Sequence, residues 1–437
     1  MARVMKDSSI EWIGEIPAGW EVRKLKHYYE IQTGFTPDTK KEEFYDDENG
    51  FDWVNISDIQ DGEIIFNTKK KVSQLFVDQY KPTIIPKGSL LYSFKLSVGQ
   101  TAFTGKDMYS NEAIAAFLPV KGANLRFLRY SSSLIIENAE VNIYNARILN
   151  RDRINNAYIV FPPEAEQNRI ADYLDAKCAR IDAVIEQTRA SIEEYKKLKQ
   201  SVITQAVTKG IRPGRKMKDS GVEWIGEMPE EWAIIAFRHV LKERVEKNIP
   251  VKSTERLSLS IDLGVTLYSE KTTNLDRFKD DFEQYKIAHV GDLVMNSMNM
   301  IVGATGVSDY YGCISPAYYT FFDDAPDHIT AKYCEYIFRS KTMLRVLFSL
   351  GKGIYAIVRG DDRVNTCRLK VSREDLRQIE IPLPNVEEQR EIVQYLCKKT
   401  QEIDDLIKHK NEIISELESY KKSLIFEYVT GKKEVPV

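Results

Sequence analysis

The chain consists of two similar halves, and this internal duplication limits its possible folds more than any other feature. Residues 5–20 read MKDSSIEWIGEIPAGW and residues 217–232 read MKDSGVEWIGEMPEEW, with eleven of sixteen positions identical. The segments that begin at Gln167 and Gln389 also align, without a gap and at an offset of 222 residues. At 437 residues the chain is too long for a single compact core, so the repeat predicts two related structural units.

The middle of each half is more diverged than its two ends. Gly88–Tyr92 matches Gly291–Met295, and Asp152–Ile154 matches Asp362–Val364. The order along the chain is therefore variable domain, helix, variable domain, helix. This pattern is expected if the middles contact different targets while the ends share one task.

A long helix is predicted at the end of each half. Residues 164–208 contain neither proline nor glycine and are rich in Glu, Lys, Gln and Ala, which favours a helix. Apolar residues recur at spacings of four and three, which indicates a heptad seam with polar breaks at Thr188 and Lys199. The seam residues are Leu174, Ile181, Ile185 and Ile192 in the first copy and Leu396, Ile403, Ile407 and Ile414 in the second.

Two arrangements of these helices are open. Each apolar stripe could pack on its own domain, but two similar stripes in one chain favour an antiparallel coiled coil. A helix of about 45 residues would be ~65 Å long. Such a spacer suits two DNA half-sites about one helical turn, ~34 Å, apart.

Both variable domains are predicted to be α+β. Strand-like segments are Asp52–Ile59, Ser89–Phe94, Ala113–Val120, Arg256–Ile261, Asp292–Met298 and Ala317–Phe322, and helices are expected at Asn124–Glu137 and near Ile329–Leu350. The predicted fold class is α+β: two globular domains separated by two long antiparallel helices, in a pseudo-two-fold repeat. The predicted limits are 1–158 and 213–378 for the domains, and 159–212 and 379–437 for the helices.

Two motif pairs resemble a known family. The opening E-W-I-G-E-[IM]-P-x-x-W, at Glu11–Trp20 and Glu223–Trp232, resembles the start of a target-recognition domain. The stretch E-Q-x-x-I-x-x-Y-L, at Glu166–Leu174 and Glu388–Leu396, resembles the start of the conserved helix in specificity subunits of Type I restriction–modification systems. The resemblance covers essentially the whole chain.

The resemblance implies a role in recognising double-stranded DNA. Each domain would read one half of a split, asymmetric site, and the helix pair would fix the gap between the halves. Two methyltransferase subunits would bind the chain and methylate adenine with S-adenosylmethionine, and two restriction subunits can join and add ATP- and Mg-dependent translocation and cleavage. These cofactors would belong to the partners, and none is expected in this chain.

Composition is consistent with a cytoplasmic protein without a membrane span. No apolar run approaches the ~20 residues that a span needs. The five cysteines are scattered without a C-x-x-C pair, which argues against a zinc site or a disulfide framework. The net charge of −3 means that DNA binding would need positive charge concentrated on one surface or supplied by a partner.

Motifs of catalysis are missing from the sequence, so no catalytic or metal-binding residue is predicted. The Pro162-Pro163 pair lies before a helix and lacks the [ND]-P-P-[YF] pattern of an adenine methyltransferase. Neither Pro37-Asp38 nor Pro326-Asp327 is followed by the [DE]-x-K of a common nuclease, and no G-x-x-x-x-G-K-[ST] loop occurs. Gly351-x-Gly353 follows a helix rather than a strand, which favours a turn or a loop near DNA over a nucleotide site.

Candidate DNA contacts follow from the chemistry of base and phosphate recognition. Arg and Lys suit guanine or phosphate, and Asn and Gln suit adenine. The candidates in the first domain are Lys69, Lys70, Lys71, Lys95, Gln100, Tyr144, Asn145 and Arg147; those in the second are Asn296, Ser297, Asn299, Lys352, Tyr355 and Arg359. Each could also be a solvated surface residue, and the two tyrosines could be core aromatics.

Other functions remain to be weighed against this one. The chain could be the recognition subunit of a related system that cuts beside its site, a self-contained DNA enzyme, or a coiled-coil scaffold that binds only proteins. The repeated tryptophans, Trp12, Trp20, Trp224 and Trp232, fit packing of each arm on the helices, with methyltransferase docking as the alternative.

Overall fold

The computed structural model describes residues 3–95, 97–141, 147–271, 281–354 and 368–436. The chain forms two compact units: unit 1 comprises Met1–Thr188 with Glu412–Val437, and unit 2 comprises Arg189–Asn411. Each unit holds one variable domain and a stretch of both long helices. The four-segment limits drawn from the sequence divide the chain differently and stay a prediction.

Unit 1 is assembled from short strands and short helices ahead of the first long helix. Its strands are β1 (Met5–Asp7), β2 (Glu15–Pro17), β3 (Glu21–Lys24), β4 (Ile31–Thr33), β5 (Phe51–Val54), β6 (Glu63–Ile65), β7 (Lys71–Val72), β8 (Leu90–Ser93), β9 (Thr101–Thr104), β10 (Tyr109–Ser110), β11 (Ile114–Phe117), β12 (Glu140–Val141), β13 (Arg147–Ile148) and β14 (Tyr158–Phe161). Its helices are α1 (Gln74–Tyr80), α2 (Leu125–Ser131) and α3 (Arg151–Asn156), followed by the long helix α4 (Glu164–Lys209), which continues into unit 2.

Unit 2 has a similar but not identical order of elements. Its strands are β15 (Met217–Asp219), β16 (Glu227–Pro229), β17 (Ala233–Ala236), β18 (Lys242–Glu243), β19 (Leu257–Ser260), β20 (Gly264–Leu267), β21 (Lys286–Ala288), β22 (Leu293–Asn296), β23 (Thr305–Val307), β24 (Gly312–Ile314), β25 (Tyr318–Phe322), β26 (Lys352–Ile354), β27 (Arg368–Lys370) and β28 (Glu380–Leu383). Its helices are α5 (Tyr268–Lys271), α6 (Ile329–Arg339), α7 (Lys341–Leu350) and α8 (Arg373–Gln378), followed by the long helix α9 (Val386–Val429), which continues into unit 1.

Each variable domain has its own core sheet, and the two sheets have a similar strand order. In unit 1 the sheet order is β4-β11-β8-β9-β6, with β11 antiparallel between β4 and β8 and with β6 parallel to β9. In unit 2 the order is β18-β25-β22-β23, antiparallel throughout. Strand β22 thus takes the place of β8, as the match of Gly88–Tyr92 with Gly291–Met295 predicts. All four residues of β8 and of β22 are buried, so each sheet lies in the core of its domain.

Several predicted elements are shorter than the sequence suggested. The helix expected at Asn124–Glu137 is α-helical only to Ser131 and then continues as a 3-10 helix. The hydroxyls of Ser132 and Ser133 donate to the carbonyls three residues earlier, at 2.7 and 2.8 Å, and such bonds compete with regular helix geometry. The helix expected near Ile329–Leu350 divides into α6 and α7 because Ser340 is extended (φ −71°, ψ 145°).

The two long helices pack through the predicted seam. Leu174, Ile181, Ile185, Ile192, Leu396, Ile403 and Ile414 are buried, and Ile407 is half-buried. In unit 1 the hydroxyl of Tyr428 donates to that of Tyr173 at 3.1 Å, while in unit 2 the ammonium of Lys410 lies 5.6 Å from the ring centre of Tyr195. Further along α4 in unit 1, Asp182 meets Lys421, and further along α4 in unit 2, Lys199 meets Asp404. Within each unit, residue numbers therefore rise along α4 as they fall along α9. The helices therefore form an antiparallel coiled coil, as predicted.

The lysine breaks of the seam carry an equivalent ion pair in each unit. Lys421 Nζ donates to Asp182 at 2.7 Å in unit 1, and Lys199 Nζ donates to Asp404 at 2.6 Å in unit 2. Both pairs obey the internal offset, because 421 − 199 and 404 − 182 both equal 222. A polar group in a coiled-coil seam favours the register in which it meets its partner. The duplicated pairs therefore select this alignment of the two helices.

The repeated opening segments fold as two hairpins with the same register. Strand β1 pairs Met5 with Pro17, and β15 pairs Met217 with Pro229. After each hairpin comes a tryptophan, Trp20 or Trp232, that is 1% exposed. Because large aromatic side chains bury much apolar area, these two residues fix the hairpins to the rest of their units.

Each buried tryptophan belongs to a three-residue cluster, termed here the anchor triad. The indole N–H donates to a glutamate in the first turn of the long helix, and an arginine pairs with the same carboxylate. The triads are Trp20–Glu166–Arg3 in unit 1 and Trp232–Glu388–Arg215 in unit 2. The ring of each tryptophan also lies beneath its arginine, at 4.9 and 5.8 Å. The triads give the repeated tryptophans Trp20 and Trp232 the structural task expected of them.

The glutamine of the E-Q motif has a separate structural task. Gln167 Nε2 donates to the carbonyl of Pro162, and Gln389 Nε2 donates to the carbonyl of Pro384, each at 2.8 Å. Both amides are buried, so the bonds satisfy carbonyls that would otherwise be costly to bury. The motif thus joins the proline turn to the long helix in both units.

We expect the anchor triad to contribute much more stability than an exposed ion pair on the same helix. Arg215→Ala leaves the carboxylate of Glu388 buried without its cation and should lower the free energy of unfolding by about 3 kcal/mol. Arg212→Ala removes the exposed pair with Glu391 and should change little. Urea unfolding of the full chain measures both, and equal effects of the two variants would contradict the role of the triad.

The seam ion pairs should respond to charge exchange. Lys421→Glu places two carboxylates together and should lower stability by about 1 kcal/mol, whereas Lys421→Glu combined with Asp182→Lys should recover most of the loss. Lys422→Glu, at the exposed neighbouring position, is the control. Thermal unfolding monitored by circular dichroism checks this, and a double variant no better than the single one would refute the pairing.

Candidate nucleic-acid interface

The lysine run Lys69–Lys71 lies in a loop that leads into β7 of unit 1. Lys69 and Lys70 are exposed, and the ammonium of Lys70 lies 5.7 Å from the ring centre of Tyr45. Lys71 is half-buried, and its Nζ donates to the carbonyl of Glu48 at 3.1 Å. Lys71 therefore holds the loop together, and Lys69 and Lys70 are its exposed cations. Their contact with phosphate stays a prediction.

A buried carboxylate fixes the start of this loop. Asp52 accepts the backbone N–H of Thr68 at 2.9 Å, and Lys106 Nζ lies 2.6 Å from its other oxygen. Burial opposes ionisation of Asp52, but the hydrogen bonds from Lys106 and Thr68 outweigh burial and lower its pKa. The ionised carboxylate thus positions the loop on the domain core.

Lys95 and Gln100 flank the turn between β8 and β9. Lys95 Nζ lies 3.3 Å from Glu112, and both side chains are about half exposed. Gln100 is exposed, and its carbonyl accepts the N–H of Ser93 at 2.9 Å. The turn therefore presents an ammonium and an amide, which are the groups that contact phosphate and adenine. Whether they do so stays a prediction.

In unit 2, Asn296, Ser297 and Asn299 share one turn, but only Asn299 is exposed. Asn296 is 6% exposed, and its Oδ1 accepts the backbone N–H groups of Met298 and Asn299 at 3.0 and 3.4 Å. Ser297 is fully buried beside Val371, whose N–H donates to its carbonyl at 3.0 Å. The structure therefore does not favour the base contacts predicted for Asn296 and Ser297, because both residues shape the turn from inside.

The remaining candidates lie at β26 or outside the described residues. Lys352 begins β26, is exposed, and places its Nζ 2.8 Å from Asp375. Tyr144, Asn145, Tyr355 and Arg359 lie outside the described residues, and for Arg147 only its place in β13 is described. Their predicted roles stay predictions.

Helix α7 carries exposed cations that the sequence analysis did not single out. Lys341 and Arg345 are four residues apart and both exposed, and the helix contains no acidic residue. The signal in the sequence is a pair of cations four residues apart, without an acidic residue, within KTMLRVLFSL. The sequence alone does not reveal this surface, because the segment reads as the second half of one longer core helix.

A second surface lies along one flank of the helix pair. Among the exposed large apolar residues of the long helices, four adjoin the seam at positions that recur in both copies: Val184, Leu198, Leu406 and Tyr420. They obey the internal offset, since 406 − 184 and 420 − 198 both equal 222. Each directly precedes a seam position, so all four occupy the heptad position that flanks the seam on one side. We call them the seam-flank residues: Val184 and Tyr420 belong to unit 1, and Leu198 and Leu406 to unit 2.

Neither a metal site nor a membrane span is found in the part of the chain that the structure describes. No three His, Cys, Asp or Glu side chains of those residues come together as metal ligands. No helix among them is both long and apolar enough to cross a bilayer.

Comparison with known proteins relates this architecture to DNA specificity. Residues 17–194 match the family described as the Type I restriction modification DNA specificity domain. A Methanocaldococcus jannaschii protein assigned as the type I restriction enzyme MjaX specificity subunit is 24% identical over 418 residues, which is 92% of this chain and 90% of that protein. The MjaIX specificity subunit of the same organism is also 24% identical, over 43% of each chain.

A solved structure shares the fold. It comes from a study of complex assembly and conformational transition in a type I R-M system, and it superposes with a TM-score of 0.66 over 96% of this chain and 99% of that chain, at 17% identity. The duplicated domains, the helix pair and these matches define a DNA-specificity protein. Residues 17–194 match the DNA specificity domain of these enzymes, and the chain as a whole is similar to specificity subunits of Type I restriction enzymes, as its E-W-I-G-E and E-Q motifs predicted.

Proposed function

We propose that this chain is the non-catalytic recognition subunit of its enzyme, with each variable domain reading one half of a bipartite DNA site. The observation that carries the proposal is the contrast within the duplication. The core sheets, hairpins and anchor triads are shared, whereas the loops that carry the candidate contacts differ: Lys95 and Gln100 on one domain, Asn299 and Lys352 on the other. Two similar frames with different loops suit two different half-sites.

In this proposal the coiled coil sets the gap between the two half-sites. A helix of 46 residues is rigid enough to act as a spacer, and the seam ion pairs hold one alignment. The chemistry is supplied by partners: methyltransferase subunits that use S-adenosylmethionine and, where the system restricts, ATP- and Mg-dependent restriction subunits. We assign no reacting group or cofactor site to this chain.

The seam-flank residues support docking of two methyltransferase copies. Exposed apolar side chains that gather into a patch mark interaction surfaces, and here such exposure occurs twice at equivalent positions. In unit 1 the Asp182–Lys421 register brings Val184 level with the turn that holds Tyr420. In unit 2 the Lys199–Asp404 register does the same for Leu198 and Leu406. Two equivalent patches suit two copies of one subunit.

Changing the length of both helices should change the gap of the methylated motif. Deleting residues 187–193 and 409–415 removes one heptad from each helix and keeps the seam in phase. The helices shorten by about 10 Å, and the unspecified gap should shorten by about three base pairs. Methylome sequencing of a host that carries the deleted gene with its methyltransferase gene reads out the motif.

An insertion of one heptad at the same two places should lengthen the gap by the same amount, with both half-motifs unchanged. A fixed gap in both variants would rule out the spacer role. Absence of any motif for the wild-type chain would rule out DNA recognition itself and leave a protein scaffold. Cleavage beside the motif would identify a related system that cuts near its site.

Charge placed on the seam flank should remove partner subunits one at a time. Leu198→Lys with Leu406→Lys should weaken one methyltransferase site roughly 10- to 100-fold, and Val184→Lys with Tyr420→Lys should weaken the other. Native mass spectrometry then counts the bound copies: two for the wild-type chain, one for each double variant. Lys196→Ala with Glu418→Ala, on the opposite flank, is the control, and loss of no copy from either patch would refute this docking surface.

A further inference from the structure

Three elements of unit 2 meet at one surface, which we call the α7 face. They are the tip of the β19–β20 hairpin (Ile261–Leu263), the turn Met298–Gly303 and helix α7. A Cβ atom at Gly303 would lie 3.9 Å from Ile261 and 4.0 Å from Leu344. The hairpin tip, the turn and the helix are therefore in contact, although they lie far apart in the sequence.

The α7 face is apolar where a surface usually is polar. Leu263 at the hairpin tip is 76% exposed, and its neighbour Ile261 is also exposed. Met298 and Val302 are exposed on the turn, and Phe348 is exposed on α7. Exposed apolar side chains gathered from three elements, rather than scattered singly, mark a binding surface.

Uncompensated positive charge borders this apolar patch. Lys341 and Arg345 are exposed on α7, and no residue of the described part of the chain forms an ion pair with either one. The segment from Ser340 to Lys352 contains no acidic residue. Asp262, at the hairpin tip, is the carboxylate of this face. The positive charge on α7 therefore suits a negatively charged partner.

More positive charge follows directly after α7. Lys352 and Lys370 are opposite each other on the antiparallel strands β26 and β27, and both are exposed. Like charges at directly opposed positions destabilise a sheet unless an anion lies between them. Lys352 meets Asp375. The pKa of Lys286 is lowered mainly by burial; Glu243 opposes this shift, and Arg373 and Lys370 add to it.

The exposed tips are held in place by polar bonds to the rest of the domain. Arg339 donates to the carbonyl of Ile261 at 2.7 Å and pairs with Glu335 at 3.0 Å, and Glu335 in turn accepts the N–H of Val307 at 3.2 Å. Asn296 fixes the other tip from inside through the N–H of Met298. A preorganised surface loses less entropy when it binds, which favours a functional role for these tips.

We propose that the α7 face is the surface through which the second variable domain contacts duplex DNA. This inference rests on the proposed function. Lys341 and Arg345 contact phosphates, and Leu263 and Met298 contact base edges, where thymine presents a methyl group to apolar side chains. Apolar contact flanked by cations fits DNA, which offers both a methyl group and a phosphate backbone.

The corresponding segment of unit 1 has different chemistry. The 3-10 helix that follows α2 reads SSLIIEN and carries no cation. The α7 face therefore belongs to the second domain alone, as expected for a surface that reads only that domain's half of the site.

The experiment uses the full chain assembled with its methyltransferase subunits and a duplex that carries its methylated motif. Replacing every thymine of one half-site by uracil removes the methyl groups and leaves base pairing intact. For the wild-type chain, uracil in the half read by the second domain should weaken binding about 4-fold per contacted methyl. Leu263→Ser with Met298→Ser should abolish that difference, and uracil in the other half should affect both proteins equally.

The cations are tested by salt dependence. Lys341→Ala with Arg345→Ala should lower the slope of log K against log salt by about two, because each lost phosphate contact contributes about 0.9. The motif should stay the same, and Lys332→Ala, an exposed lysine on α6, should leave the slope unchanged.

Three results would overturn the inference. The first is that the variants of the α7 face keep the wild-type salt slope and the wild-type loss of affinity when uracil replaces thymine. The second is a half-site without thymine. The third is loss of methyltransferase assembly at an unchanged salt slope, which would make the face a protein-docking surface. A wild-type assembly that binds no specific DNA would instead refute the proposed function on which the inference rests.

Discussion

The binding of a carboxylate in the first turn of each long helix, half-buried at Glu166 and fully buried at Glu388, is the interaction on which this architecture depends. Glu166 and Glu388 each bind a buried indole that follows the repeated hairpin and an arginine, Arg3 or Arg215, that precedes it. A carboxylate without such partners would be expensive to bury, so hairpin and helix stabilise each other. The variable loops can then differ between the domains while the frame that carries them stays constant.

The sequence predicted the parts of the fold that repeat or have a period. The seam from Leu174 to Ile192 was visible because buried residues must recur every three or four positions in a packed helix, and the duplication of Trp20 at Trp232 showed that the arms share a task. The core sheet was visible more weakly, through Gly88–Tyr92 and its second copy. These features depend on local periodicity or on internal similarity, both of which can be read without coordinates.

The candidate contacts were less predictable, because exposure depends on packing between distant segments. Asn296 has the right chemistry for adenine, but it ends a buried strand and bonds to its own turn. Lys71 has the right charge for phosphate, but it bonds to Glu48. Conversely, nothing in the local sequence reveals that the hairpin tip at Ile261 meets Gly303 and helix α7, since the three segments come together only in the folded domain.

The duplicated lysine–aspartate pairs bear on how accurately the helices would fix the gap between half-sites in the proposed spacer role. Two smooth apolar helices could slide past each other by whole heptads, and each slip would displace the helices by about 10 Å. With Lys199 and Lys421 each tied to one aspartate, such a slip breaks both pairs and leaves two ammonium groups against apolar side chains. The register of the coiled coil can therefore change only by a whole heptad, with loss of both ion pairs. In the proposed spacer role, an error in the gap would be an all-or-none event rather than a gradual drift.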